Sequence, residues 1–278
     1  MFLGHWWTFL HKVESVHGTR AASVGTIFED SPISFCKWLP AIWLLANTKN
    51  GTSSHELGRA LGVRQHTAWF MFHRIRKAMK NEATDMLSGE VEADETFVGG
   101  KVRATHRNAS GLRRLKHGPA TGKITVFGMI QRGKPSQVRA MVVPDHKKVS
   151  LIPRIRENVR PGSMLYTDAL RSYRGIPEYT HAFVDHMVTY VEGRVHTNTI
   201  ENFWACLKRM VHGTYICPRP FHMDAYVDEQ VFRFNAREGK DGDRFVEVLK
   251  NTDGRRLTYQ ALITANADIR ALTLQRDQ

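Results

Sequence analysis

From Glu90 to Val98 the chain reads Glu-Val-Glu-Ala-Asp-Glu-Thr-Phe-Val, and Gly99-Gly100 follows. Charged and apolar residues taking turns at a period near two fit an extended strand with one face on a core, not a helix. The reading has a sharp consequence: Asp94 falls in the middle of such a strand. A carboxylate facing a packed layer is costly there unless it holds a cation. Two further strands are expected at Ile124 to Ile130 and Val138 to Val143, with a turn at Gly133-Lys134-Pro135 between them.

The rest of the chain is read around that start. Lys147 to Asn158 has helical spacing, Ser163 to Tyr166 a strand pattern, and a short helix is expected after Asp168. His181 to Val184 is a fifth candidate strand, and Thr199 to Met210 is a helix with Ile200, Phe203, Trp204 and Leu207 on its apolar side. The expected class is therefore α/β. The order β-β-β-α-β-α-β-α is that of a ribonuclease-H-like, retroviral-integrase-like domain. A loop rich in Gly, with Lys101, Arg103, Arg107, Arg113, Arg114 and Lys116, separates the first two strands.

Upstream the periodicity is helical. Ser31-Pro32 is a helix-start signal, and Phe35, Trp38, Leu39 and Ile42 recur at helical spacing. A Ser-capped helix carrying Leu57 and Leu61 is broken at Gly62; a second runs from about Gln65 to Met79 with Ala68, Trp69, Phe72 and Ile75 inward. Two short helices across a Gly-containing turn form a helix-turn-helix, and the second would meet base edges. Arg64, Gln65, His66 and Thr67 stand at its start, with Arg74, Arg76, Lys77 and Lys80 toward its end. A plain helical hairpin with a solvated basic face is the competing reading. The division expected is 1–30 unassigned, 31–82 helix-turn-helix, 88–240 catalytic domain, and 241–278 a tail without assigned elements.

Charge supports a polyanionic partner. The 278 residues hold 40 Lys and Arg against 27 Asp and Glu, a formal charge of +13. Such a surplus draws nucleic acid. Three scattered cysteines, Cys36, Cys206 and Cys217, make neither a disulfide framework nor a Cys-x-x-Cys site. The apolar run from Trp38 to Ala46, interrupted by Pro40, is about half the ~20 residues of a membrane span. The expected setting is the cytoplasm, with no membrane partner.

Three acids are placed together by these elements: Asp94 in the first strand, Asp168 at the carboxyl end of the fourth, and Glu201 at the start of the last helix. Carboxylates that gather two hard cations, Mg²⁺ or Mn²⁺, can activate a nucleophile and neutralise the leaving oxygen of a phosphodiester. Lys208 lies two turns after Glu201 on the same face and Arg209 one step round, both suited to phosphate; Asn198 shares that face. Each acid also has a bland reading. Asp94 could be an edge residue, Asp168 a helix cap and Glu201 a first-turn acid complementing the helix dipole. Glu92, Glu95 and Asp185 compete; Glu92 should share Asp94's strand face and Glu95 should point away. His181, His186 and His196 lack the tight spacing of a zinc site.

With those residues on view, the chain resembles bacterial insertion-sequence transposases of the DDE class, in the group with a zinc ribbon, a helix-turn-helix and an integrase-like domain of ISXO type. The blocks that carry the resemblance are Val24-Gly25-Thr26-Ile27-Phe28-Glu29-Asp30-Ser31, Val91 through Lys101, Tyr166-Thr167-Asp168, and His196 through Trp204 continuing to Leu207-Lys208-Arg209. Tyr226-Val227-Asp228-Glu229 and Phe232-Arg233-Phe234-Asn235 add to it. The resemblance implies Asp94, Asp168 and Glu201 as metal ligands and Lys208 as the basic residue that accompanies the glutamate. It also implies cleavage and strand transfer at terminal inverted repeats, double-stranded DNA as substrate and target, and a homodimer or larger synaptic complex. Relatives carry a Cys-rich ribbon before the Val24 block, whereas residues 1–23 hold no cysteine; the expectation is either a chain that starts late, after a truncation or a misplaced start codon, or a copy that has lost the ribbon. A DNA-binding regulator without transposition, and a ribonuclease-H-like nuclease such as a junction resolvase, are the alternatives.

Overall fold

The computed structural model describes residues 23–80, 85–99, 123–168, 173, 175–184, 196–216 and 218–264. The basic loop after Gly100, the helix expected after Asp168, Asp185, His186 and the first 22 residues lie outside them. The chain divides into two compact units, Met1–Asn81 with Ala236–Gln278, and Glu82–Asn235.

The second unit is built on a five-stranded sheet in the order β3-β2-β1-β4-β5. Strand β1 (Glu90–Val98) pairs antiparallel with β2 (Ile124–Gln131), and β2 antiparallel with β3 (Gln137–Val143). Strand β4 (Met164–Asp168) runs parallel to β1, and β5 (Thr180–Val184) parallel to β4. The parallel step needs a crossover, which helix α4 (Lys148–Asn158) supplies.

Alternation then sorts side chains between two cores. Val91 and Ala93 of β1, Phe127 and Met129 of β2, and Leu165 pack with Leu151, Ile152 and Ile155 of α4. Val98, Val126, Ile130 and Val138 pack instead with Ile200, Phe203, Trp204 and Leu207 of helix α5 (Asn198–Met210) and Val227 and Val231 of helix α6 (Met223–Asn235). Covered on both faces, the inner strand β2 is buried at its six central positions, which is why its sequence reads as an unbroken apolar run. The order β1-β2-β3-α4-β4-β5-α5 follows the sequence expectation, whereas helix α6 is not among the expected elements. One difference is local: beyond Met210, α5 passes into a π-type turn, Val211–Tyr215.

The first unit is helical. Its elements are α1 (Phe35–Asn47), α2 (Ser54–Leu61), α3 (Gln65–Met79) and α7 (Asp241–Lys250). Ser53 caps α2 by accepting the Glu56 N–H at 3.1 Å, and Gly62 ends it in the left-handed conformation at φ 61°. Helix α7 lies in the stretch left without elements by the sequence pattern. Its Phe245 meets Trp43 of α1 edge-on at 5.6 Å, and Arg244 donates to Asn47 Oδ1 at 2.9 Å. Arg255, further on, donates to the carbonyls of Lys77 and Lys80 and so satisfies the end of α3.

Candidate active site

The polar face of β1 looks toward α5, and two of its acids meet that helix differently. Glu92 is 0% exposed. Its Oε2 accepts the backbone N–H of Thr199 at 3.0 Å and of Ile200 at 2.9 Å; Oε1 accepts the Thr199 hydroxyl at 2.8 Å and Arg132 Nε at 2.6 Å. A carboxylate seated on the first-turn amides of a helix is favoured by both hydrogen bonding and the helix dipole. Arg132 also donates to the His196 carbonyl at 2.5 Å and lies over the Tyr166 ring at 4.2 Å. The sequence pattern offered Glu92 as a rival to Asp94. Its oxygens are instead consumed in docking α5 onto the sheet.

Two residues on, partly buried Asp94 accepts the indole N–H of Trp204 through Oδ2 at 2.9 Å. Opposite it in the register stands Gly128. A Cβ there would come within 2.6 Å of the Trp204 ring, so glycine is what lets the indole lie against β2. On the other side, β1 and β4 pair as Glu92↔Tyr166. Beyond that last paired position, alternation puts Asp168, the final residue of β4, on the same face as Tyr166, as it puts Asp94 on the face of Glu92.

Electrostatics bind the three acids together. Burial, reinforced by the charges of Asp168 and Glu201 and opposed by the indole hydrogen bond, pushes the Asp94 carboxyl up to about 6. Glu95 is pushed up to about 7, mainly by burial and then by Asp168 and Asp94, against the stabilising Tyr173 hydroxyl at 2.5 Å. Tyr173, fully buried beside Glu95, is itself raised well above the ordinary tyrosine range. Glu95 does point away from Asp94's face, into the core under α4 where Tyr173 packs. Four acids thus share one field, and a cation is what would relieve it. Among the described residues no three carboxylate, imidazole or thiol side chains are drawn together as a ready cation cage. The donor chemistry is nonetheless that of a hard divalent ion, since Asp94, Asp168 and Glu201 offer carboxylate oxygens.

The other sequence candidates fall into two groups. Glu201, Lys208, Arg209 and Asn198 are all exposed on α5, with Glu201 in its first turn and Lys208 and Arg209 in its last. Arg64, Gln65 and His66 are exposed at the start of α3; Gln65 donates to Ser54 Oγ at 2.8 Å and His66 meets the Tyr259 hydroxyl at 3.2 Å. Arg74 departs from expectation. It is 5% exposed, donates to the carbonyls of Ile27 at 3.0 Å and Leu257 at 3.0 Å, and stacks on Phe70. Arg76, also expected outward, is 1% exposed. The DNA-contact expectation for Arg74 is therefore corrected to a structural role, because Leu257, beyond position 250, and Ile27 cover it; Arg76 is likewise buried, over the Phe72 ring. Of the histidines, His181 contacts Thr167 Oγ1 at 2.9 Å and burial lowers its pKa, while His196 contacts Arg132.

Sequence reasoning passed over Trp204, Arg132 and Gly128. Two of them carried a signal. An indole on a buried helix face needs an acceptor, and a glycine inside a strand marks a close approach.

A family model described as ISXO2-like transposase domain matches residues 86–235, from just before β1 to the last residue of α6. A protein of Haemophilus influenzae described as an uncharacterized transposase-like protein is 36% identical over 106 residues, 37% of this chain and 85% of that one.

Proposed function

The chain belongs to the ISXO2-like transposase family, and from that membership we propose that it cuts and joins DNA at the ends of an insertion sequence. The observation that carries the proposal is the placement of the three acids, Asp94 within β1, Asp168 at the end of the neighbouring β4 and Glu201 in the first turn of α5 against β1; burial first, then the charges of Asp168 and Glu201, push the Asp94 carboxyl up. The sheet order, with three antiparallel strands followed by two parallel ones, supports a ribonuclease-H-like reading of the unit. On that reading 88–240 is the catalytic domain and 31–82 a helix-turn-helix.

Asp94, Asp168 and Glu201 would hold two Mg²⁺ or Mn²⁺ ions. Those ions, when bound, supply the positive charge that activates a nucleophile and stabilises the departing oxygen. The residues themselves do the remaining work. Glu92 keeps the first turn of α5, and therefore Glu201, against β1. Lys208, two turns on, holds a phosphate as a point charge, with Arg209 beside it on the backbone and Asn198 at the helix start orienting DNA or water. Arg64, Gln65 and His66 present donors from the start of α3 to the DNA; Arg74 is not carried into this surface. The substrate is double-stranded DNA, both terminal inverted repeats and target, joined in a homodimer or larger synaptic complex at the bacterial nucleoid. Among the described residues no helix is long and apolar enough to cross a membrane.

A strand-transfer assay tests this, with labelled element ends, plasmid target and Mg²⁺ or Mn²⁺. Metal-dependent joining should vanish in Asp94→Ala and in Glu201→Ala. DNA binding without cleavage by the wild-type chain would sink the catalytic proposal and leave a DNA-binding regulator.

A further inference from the structure

Helix α5 touches β1 at two anchors. Glu92 takes the amides of Thr199 and Ile200, and Asp94 takes the indole of Trp204. Along the strand the two acids are two residues apart, about 6.8 Å. Along the helix Ile200 and Trp204 are four residues apart, about 6 Å. The rises nearly match, so both anchors are made at once only if the helix follows the strand in a single register. Glu201 lies between the anchors.

The second anchor differs from the first in kind. Glu92 gives both oxygens to the fold, whereas the indole engages one oxygen of Asp94, Oδ2. An indole N–H is a donor only and cannot itself compete for a cation. The ring is 4% exposed and is seated against Gly128, where a Cβ would stand 2.6 Å from Cη2 and 2.8 Å from Cζ2 of Trp204 and 3.2 Å from Ile200 Cδ1. Phe203 packs beside it with ring centroids 5.1 Å apart. Together with the Glu95 backbone N–H, which also hydrogen-bonds this carboxylate, a donor so tightly housed restricts how the carboxylate can turn.

We propose that Trp204 is a positioning residue for metal binding: seated in the slot left by Gly128, it clamps Oδ2 of Asp94 and turns Oδ1 toward the side shared with Asp168 and Glu201. This rests on the metal-dependent reading above. Gly128 is part of the device because any side chain there would push the ring off its acceptor.

The test is Mn²⁺ binding to the full chain, read by electron paramagnetic resonance of free Mn²⁺ and so independent of turnover. Wild type is compared with Asp94→Ala, Trp204→Phe and Gly128→Ala, each melted in chelator as a fold control. Phenylalanine keeps the bulk and removes the donor. Trp204→Phe should raise the Mn²⁺ Kd about ten-fold or more, the usual effect of losing a ligand's supporting contact, while its melting temperature in chelator stays near wild type. Gly128→Ala should shift the Kd the same way, and Trp204→Phe should add nothing in the Asp94→Ala background. A second readout needs no variant fold: the Trp204 indole N–H resonance of the wild type should move on adding Mg²⁺. An indole resonance unmoved by Mg²⁺, or a well-folded Trp204→Phe with wild-type Kd, overturns the proposal alone. Wild-type Mn²⁺ binding identical to that of Asp94→Ala overturns the metal reading as well.

Discussion

Two stations on one strand face, Glu92 and Asp94, carry the same functional group and meet the same helix, yet they are in opposite conditions. At Glu92 both oxygens are taken by amides, a hydroxyl and a guanidinium, and nothing is left for a ligand. At Asp94 one indole is the donor from α5, and burial, reinforced by the charges of Asp168 and Glu201, lifts the carboxyl to about 6. What separates a structural carboxylate from a chemical one here is how much of its bonding capacity the fold has used, not residue type or burial.

That contrast can be broken most directly by deleting each acid. Asp94→Ala should reduce cleavage and joining to background with the fold retained. Glu92→Ala should fail differently: it leaves the Thr199 and Ile200 amides of α5 without their acceptor and removes one of Arg132's partners, and each buried donor left unsatisfied costs about 1–3 kcal/mol. Urea unfolding of the two variants side by side decides the matter, and equal stabilities would erase the distinction.

A pH series sharpens it. Asp94 is raised from 3.8 to about 6 and Glu95 from 4.5 to about 7, so the folded chain holds these protons more tightly than the unfolded one. Their contribution to stability is complete below the lower, unfolded values and is lost as pH climbs through 6 and 7. In chelator the melting temperature should therefore fall between pH 4.5 and 7.5. Asp94→Asn should flatten part of that fall, and added Mn²⁺ should reverse it at neutral pH. A profile identical in Asp94→Asn and wild type would show that Asp94 is not titrating there.

The smallest expected effects concern the arginines of the helical unit. Arg64→Ala should weaken DNA binding and reduce the salt dependence of log K by about 0.9, the share of one phosphate contact. Arg74→Ala should leave that slope alone and lower the melting temperature, since it removes charged donors from two carbonyls. A lower salt slope in Arg74→Ala would return it to the DNA surface.

Much of this was legible without coordinates. The alternation from Glu90 to Val98 placed Glu92 with Asp94 and set Glu95 apart, because side-chain direction in a strand depends on parity alone. Helical spacing put Glu201 and Lys208 on one exposed face of α5 for the same local reason. Arg74 was misread because a basic residue near a helix end looks outward unless something distant covers it, and the covering carbonyl of Leu257 lies 183 positions away. Helix α7 was missed although Phe245 and Val248 repeat at helical spacing, since its partner Trp43 stands at the far end of the sequence.

The amino-acid sequence by itself determined the order of elements from β1 to α5, the face each acid takes and the charge of the chain; the first two depend on neighbours a few residues apart and the last on composition alone. Only tertiary structure decided which carboxylate has both oxygens taken up in docking α5 and which gives that helix one oxygen alone. That outcome depends on whether Thr199, Ile200 and Arg132, or Trp204 over Gly128, come to lie against a given oxygen. Hydrogen-bond capacity is filled by whatever the fold brings within about 3 Å, and no local pattern records that.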